Sequence, residues 1–153
     1  WQDAIIGDYG DGWDPAVAYR AADAAGSLTG RVVGALWWDR GRGLEQVPEL
    51  VERRVTLGGG RFRPTSIKIM QDGVAENFTA AMTEPYCDGH GHHTDNSGIS
   101  FVPPEVLLPA AVALDAEGFE SRWSNFNSDC AVSGPDCVKA TAVNKSTTKV
   151  IQR

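Results

Sequence analysis

Apolar positions along the chain fall into two kinds of run that alternate. Ala4-Ile5-Ile6 is a short strand-like run, closed by the turn-rich Gly7-Asp8-Tyr9-Gly10-Asp11-Gly12. Asp14-Pro15 offers a side-chain acceptor followed by proline at the first helical position, which predicts an Ala-rich helix over 15–25 stopped by Gly26. Arg31 to Trp38 is apolar and β-branched with few polar breaks, the pattern of a strand buried on both faces. Leu44, Val47, Leu50, Val51 and Val55 predict a second helix over 44–57, before the break at Gly58-Gly59-Gly60. Ser66 to Met70 is the next buried strand.

From Asp72 to Pro104 the pattern loses its period, and a connection of that length is usually either functional or the sign of a misassigned element. A helix resumes over Glu105 to Ala116, kinked or interrupted at Pro109, and Gly118-Phe119 ends it. Strand, helix, strand, helix, strand, loop, helix is the signature of right-handed βαβ units around a parallel sheet. After Phe119 the character changes: residues 130–153 are rich in Ser, Thr, Asn and Lys, so the sequence divides into a βα segment, 1–119, and a divergent, irregular tail, 120–153. No internal repeat is evident.

Composition narrows the classes. With 153 residues, 42% hydrophobic and 22% charged, the chain is an ordinary globular domain, and no apolar run approaches the roughly eighteen residues of a membrane span. A formal charge of -6 argues against nucleic acid, since phosphate binding needs clustered cations. The one local basic cluster, Arg53, Arg54, Arg61 and Arg63, reads as a solvated helix end and loop. The sequence starts at Trp1 with no initiator Met and no signal-peptide pattern, so it reads as an excised or processed piece. Cys87, Cys130 and Cys137 are too few for a disulfide scaffold, although Cys130 and Cys137 are close enough to close a small loop in an oxidising compartment.

Three stretches carry a resemblance: residues 31–39, residues 66–81 with their Lys-Ile-Met-Gln-Asp-Gly segment and Thr-Ala-Ala follow-up, and Leu114-Asp-Ala-Glu-Gly-Phe119. Over residues 1–119 the chain resembles the interior of the amidohydrolase-3 family, which includes YtcJ-like and N-substituted formamide deformylase-like proteins. The resemblance implies a TIM-type barrel, a mono- or dinuclear divalent metal centre such as zinc, hydrolysis of amide-like C–N bonds, and a cytoplasmic location. Lys68 matches the strand-end lysine that the family carboxylates to bridge two metals, a carbamate being a hard oxygen ligand. The family's His-x-His would lie before Trp1, and Arg122 and Ser124 stand where two further histidines are expected. Neither replaces an imidazole: Arg has no lone pair to give, and Ser is a weak neutral ligand.

A closed (β/α)₈ barrel takes about 250 residues, so this chain supplies about half of one. A half barrel exposes sheet edges, which favours self-pairing or a completing chain. The expected fold is therefore α/β, a partial TIM-type barrel of parallel strands, and the expected function is that of a metal-dependent amidohydrolase fragment, inactive alone. Two alternatives stay open. One is a non-catalytic, self-assembling protein. The other is a metal-binding module built on the loop Cys87 to Asp95, where His90, His92 and His93 stand with Cys87 and two Asp. Asp72, Trp37 and Trp38 are candidates for substrate contact, with core packing the simpler role for the tryptophans. Gly58-Gly59-Gly60 lacks the Lys-Ser/Thr of a phosphate loop, and Asn77-Phe78-Thr79 and Asn144-Lys145-Ser146 fit the glycosylation triplet, a pattern that occurs by chance.

Overall fold

In a computed structural model, residues 1–123 are described apart from Tyr9 and Asp11. Four strands, β1 (Gln2–Ile6), β2 (Val32–Trp37), β3 (Phe62–Ile69) and β4 (Glu120–Trp123), form one sheet in the order β1-β2-β3-β4. All three pairings are parallel. Helices α1 (Pro15–Ala24), α2 (Val47–Leu57) and α3 (Pro104–Ala116) lie in the connections. Because each strand pairs with its neighbour in sequence and the order never reverses, right-handed crossovers deliver every helix to the same face. That face is packed: Ile6, Leu36 and Ile67 are in one register row and each is fully buried. Tyr19 of α1 stacks on Phe62 of β3 with ring centroids 4.9 Å apart.

The chain divides into two compact units, Trp1–Ile69 with Pro103–Trp123, and Met70–Val102. The first holds the sheet and the three helices. Asp14 caps α1 by accepting the Ala16 N–H at 3.0 Å, as its position before Pro15 predicts, and its other oxygen takes Arg53 of α2 at 2.7 Å. Arg54 donates to the Glu117 carbonyl at 2.7 Å and lies 4.2 Å over the Phe119 ring, which ties α2 to the end of α3. Much of the expected basic cluster is thus spent on structure. Gln46, 2% exposed, returns both amide groups to backbone around Asp39 and Gly43.

Several boundaries differ from the sequence reading. The helix expected over 44–57 is a 3-10 turn, Leu44–Gln46, followed by α2, with Pro48 at its start. Strand β3 begins four residues earlier than Ser66 and contains Pro64. Between the partner pairs Val33↔Arg63 and Ala35↔Ser66, β3 carries one residue more than β2, so Pro64 and Thr65 form a bulge. A bulge is where a strand tolerates a residue without an N–H. β1 has a similar irregularity between Asp3 and Ile6, where the Asp3 carboxylate accepts the Ile5 N–H at 3.0 Å. Helix α3 runs through Pro109 without interruption, and β4 continues past residue 120. The remainder of the tail, with Cys130, Cys137, Ser124 and the Asn144 triplet, lies outside the described residues.

The second unit is the segment that lost its period. It is held by turns rather than by long elements: a 3-10 turn at Ala75–Asn77 and isolated bridges Asp72↔Ser100 and Cys87↔His93. Thr79 organises its first half, accepting the Val74 N–H at 2.9 Å through its hydroxyl and the Gly73 N–H at 3.2 Å through its carbonyl. Phe78 sits at φ 60, a strained left-handed conformation for a bulky residue, and meets Tyr86 edge to face at 5.3 Å. Among the described residues no helix is long and apolar enough to cross a membrane.

Candidate functional site

The bulge at Pro64 and Thr65 changes the phase of β3. Phe62 and Ile67 share the helix-facing side although five positions separate them, and Lys68 falls on the opposite side. A bulge that re-aims a side chain is a common device beside functional sites. Lys68 is half-buried, and burial pushes its amine below the ordinary lysine range. Its register partners are Trp37 on β2 and Arg122 on β4, so the residues Trp37, Lys68 and Arg122 form a row at the carboxyl ends of three parallel strands. Gly7, just past β1, approaches the same place: a Cβ there would come within 3.1 Å of the Trp37 Cβ.

One row lower, Ser66 pairs with Ala35 on one side and Glu120 on the other. Ser66 is fully buried and its hydroxyl has no hydrogen-bond partner. Trp38, the residue after β2, is 1% exposed and its indole N–H is also without a partner, so it belongs to the interior. Trp37 rather than Trp38 is therefore the tryptophan beside Lys68. Sequence reading took Ser66 only as the first residue of its strand. Its burial and unpartnered hydroxyl depend on what packs around β3, so the strand pattern carries no signal for it.

In the second unit, Asp72 is half-buried, and burial raises its carboxyl above the ordinary range against an opposing bond from the Ala81 N–H at 3.2 Å. Gln71, 7% exposed, donates to Ser100 Oγ and the Val102 carbonyl, both at 2.8 Å, while its own carbonyl oxygen has no partner. The histidine loop closes on Asp88, whose carboxylate accepts the backbone N–H groups of His90 and His92 and lies 3.3 Å from the His92 ring nitrogen. These bonds hold the Asp88 carboxyl below its usual range, the His92 N–H first and the His90 N–H next. His93 Nδ1 lies 3.3 Å from the Pro85 carbonyl oxygen. Cys87 is in a disulfide, so the thiolate that a zinc loop would use is spent. Among the described residues no three His, Cys, Asp or Glu side chains gather as a metal would require.

No family model matches the sequence, and no curated protein matches it. Among solved structures the chain is similar to an uncharacterized metal-dependent hydrolase from Pyrococcus furiosus. The likeness has a TM-score of 0.52 at 21% identity and covers 70% of this chain and 21% of that one. What it shows is the fold, an α/β unit with consecutive parallel strands. The chain spans about a fifth of the length of the structure it matches.

That frame gives the Lys68 row a physical context. In singly wound parallel α/β proteins, ligands bind where the strands end at their carboxyl side. The donor set on this row does not fit a divalent metal unaided. Lys68 can supply one ligand after carboxylation and Trp37 supplies none.

Proposed function

We propose that this chain is a piece of a metal-dependent hydrolase of the amidohydrolase-3 type, a barrel enzyme that cleaves amide-like C–N bonds, and that the chain alone is not catalytic. The observation carrying this reading is Lys68: a half-buried amine with a depressed pKa, turned by a bulge to the non-helical face of the third of four sequentially ordered parallel strands. A neutral lysine amine is the form that reacts with carbon dioxide, giving a carbamate and releasing a proton. The carbamate would be the oxygen ligand that the family resemblance assigns to this position. The remaining ligands would come from the rest of the barrel, and no hydrolytic step is assigned to the described residues.

The test has two readouts. Protein equilibrated with ¹³C-bicarbonate is expected to show a carbamate signal that disappears in Lys68→Ala. The same protein, supplied with zinc, is expected to show no turnover of formamide or N-acyl substrates above background, because a hydrolytic metal needs about three protein ligands and an open position. Zinc-dependent turnover lost in Lys68→Ala would overturn the claim of inactivity. Absence of any carbamate would remove the main support for the hydrolase reading.

A further inference from the structure

Glu105 and Asp115 are the only polar residues of α3, and a helix so apolar belongs where it is covered on most sides. It buries Leu107, Ala110, Ala111 and Leu114, yet leaves Leu108 and Val112 exposed at 47% and 69%. Glu105 and Asp115, also exposed, stand three residues before Leu108 and three after Val112. At about 100° per residue, these four positions fall within a sector about 80° wide. Their spacing of three, four and three is that of a narrow seam between two helices. Glu105, Leu108, Val112 and Asp115 thus form one stripe, acidic at both ends and apolar between.

Charge says what kind of helix fits the seam. Among the described residues neither carboxylate is in an ion pair. Glu105 is in the first turn, where the helix dipole favours an anion, but Asp115 is in the last turn, where it favours a cation. No basic residue occupies that turn. Arg54 of α2 serves the Glu117 carbonyl, which lies about 200° around the axis from Asp115. Asp115 therefore weakens α3 on its own, and a cation arriving beside it offsets both its charge and the dipole. A second α3 brings no such cation: paired parallel it sets Glu105 against Glu105, and paired antiparallel Glu105 against Asp115.

We propose that this stripe of α3 is a docking seam for a basic amphipathic helix of another protein. Apolar residues at heptad spacing seat on Leu108 and Val112, and a Lys or Arg lies beside Asp115. The seam belongs wholly to the first compact unit and does not depend on the hydrolase reading.

The test is fluorescence anisotropy of a labelled synthetic helix, with leucines at heptad spacing flanked by lysines, titrated with the full chain. Binding at micromolar concentration is expected, weakening as sodium chloride is raised. The same helix with every lysine replaced by glutamate is expected not to bind. Leu108→Lys combined with Val112→Lys should weaken binding by roughly tenfold or more, with an unchanged far-ultraviolet spectrum because both positions are exposed. Asp115→Asn should weaken it by roughly threefold and flatten the salt dependence. Val17→Ser, at a position 68% exposed on α1, should leave it unchanged. The proposal is overturned if the lysine helix does not bind, if the glutamate helix binds as well, if the double variant binds like the parent, or if Val17→Ser weakens binding as much. Should the parent bind no peptide while the double variant dissolves an oligomer in light scattering, the seam belongs to a second copy and the proposal is likewise overturned.

Discussion

At Lys68 the fold disfavours the charged form of the amine. Because its pKa is depressed on folding from an ordinary 10.5, the unfolded chain binds more protons between the lowered value and 10.5, and stability rises with pH across that window. The contribution is fully present above 10.5 and is lost as pH falls through the folded value. Lys68→Met should flatten this part of the stability–pH profile and raise stability at pH 7, read by urea unfolding at several pH values. Asp72 carries the opposite sign. Its raised pKa gives stability that is present below the ordinary 3.8 and lost as pH rises through the folded value. Asp72→Asn keeps an acceptor for the Ala81 N–H and removes the charge. It should melt higher than the parent at pH 7 and show no such advantage near pH 3. Lys68 was singled out by the family resemblance rather than by its pattern, since a lone lysine in an apolar strand is more often a snorkelling or paired structural residue. Ser66 and Gln71 were not, since their burial and missing partners depend on what packs around them, which no local pattern encodes.

The strands show how local signals and packing divide the work. Asp14-Pro15 announced α1 correctly, because a cap is chemistry between residues two apart. Arg61-Phe-Arg-Pro concealed the start of β3, because two arginines and a proline argue against a strand. The bulge at Pro64 and Thr65, which resolves that conflict, exists only in the pairing with β2. Crowding in this same pairing can be tested. A Cβ on Gly34 would lie 2.9 Å from Ile6 Cγ1 and 3.0 Å from the Phe62 ring, a close approach between three strands. Gly34→Ala should therefore destabilise the sheet by about 1–3 kcal/mol, the usual cost of overpacking. A change within about 0.5 kcal/mol in denaturant titration would show that Phe62 yields freely.

For the molecule as a whole, the parallel α/β organisation was readable from alternating periods, while the order of the strands had to come from the structure. Among the described residues β1 and β4 each pair on one side. On the helices, Val55, Leu108 and Val112 are exposed at 71%, 47% and 69%. Covering such surface yields about 25 cal/mol per Å², and open strand edges favour pairing. The chain is therefore expected to self-associate at micromolar concentration. Light scattering checks this, and a monodisperse 16.4 kDa species would exclude it.

The sequential strand order also has a kinetic meaning. Every strand finds its partner at the next opportunity along the chain, so contacts in the sheet are of moderate separation and pairing can proceed from β1 onward during synthesis. The connection from β3 to β4 is about twice as long as either of the others, because Met70–Val102 is inserted in it. Doubling a loop adds about 0.6 kcal/mol to its closure, roughly a threefold slowing if nothing else changes. β4 is then the last strand to dock in folding and the first to leave. Arg122 would accordingly reach its place beside Lys68 only at the final step.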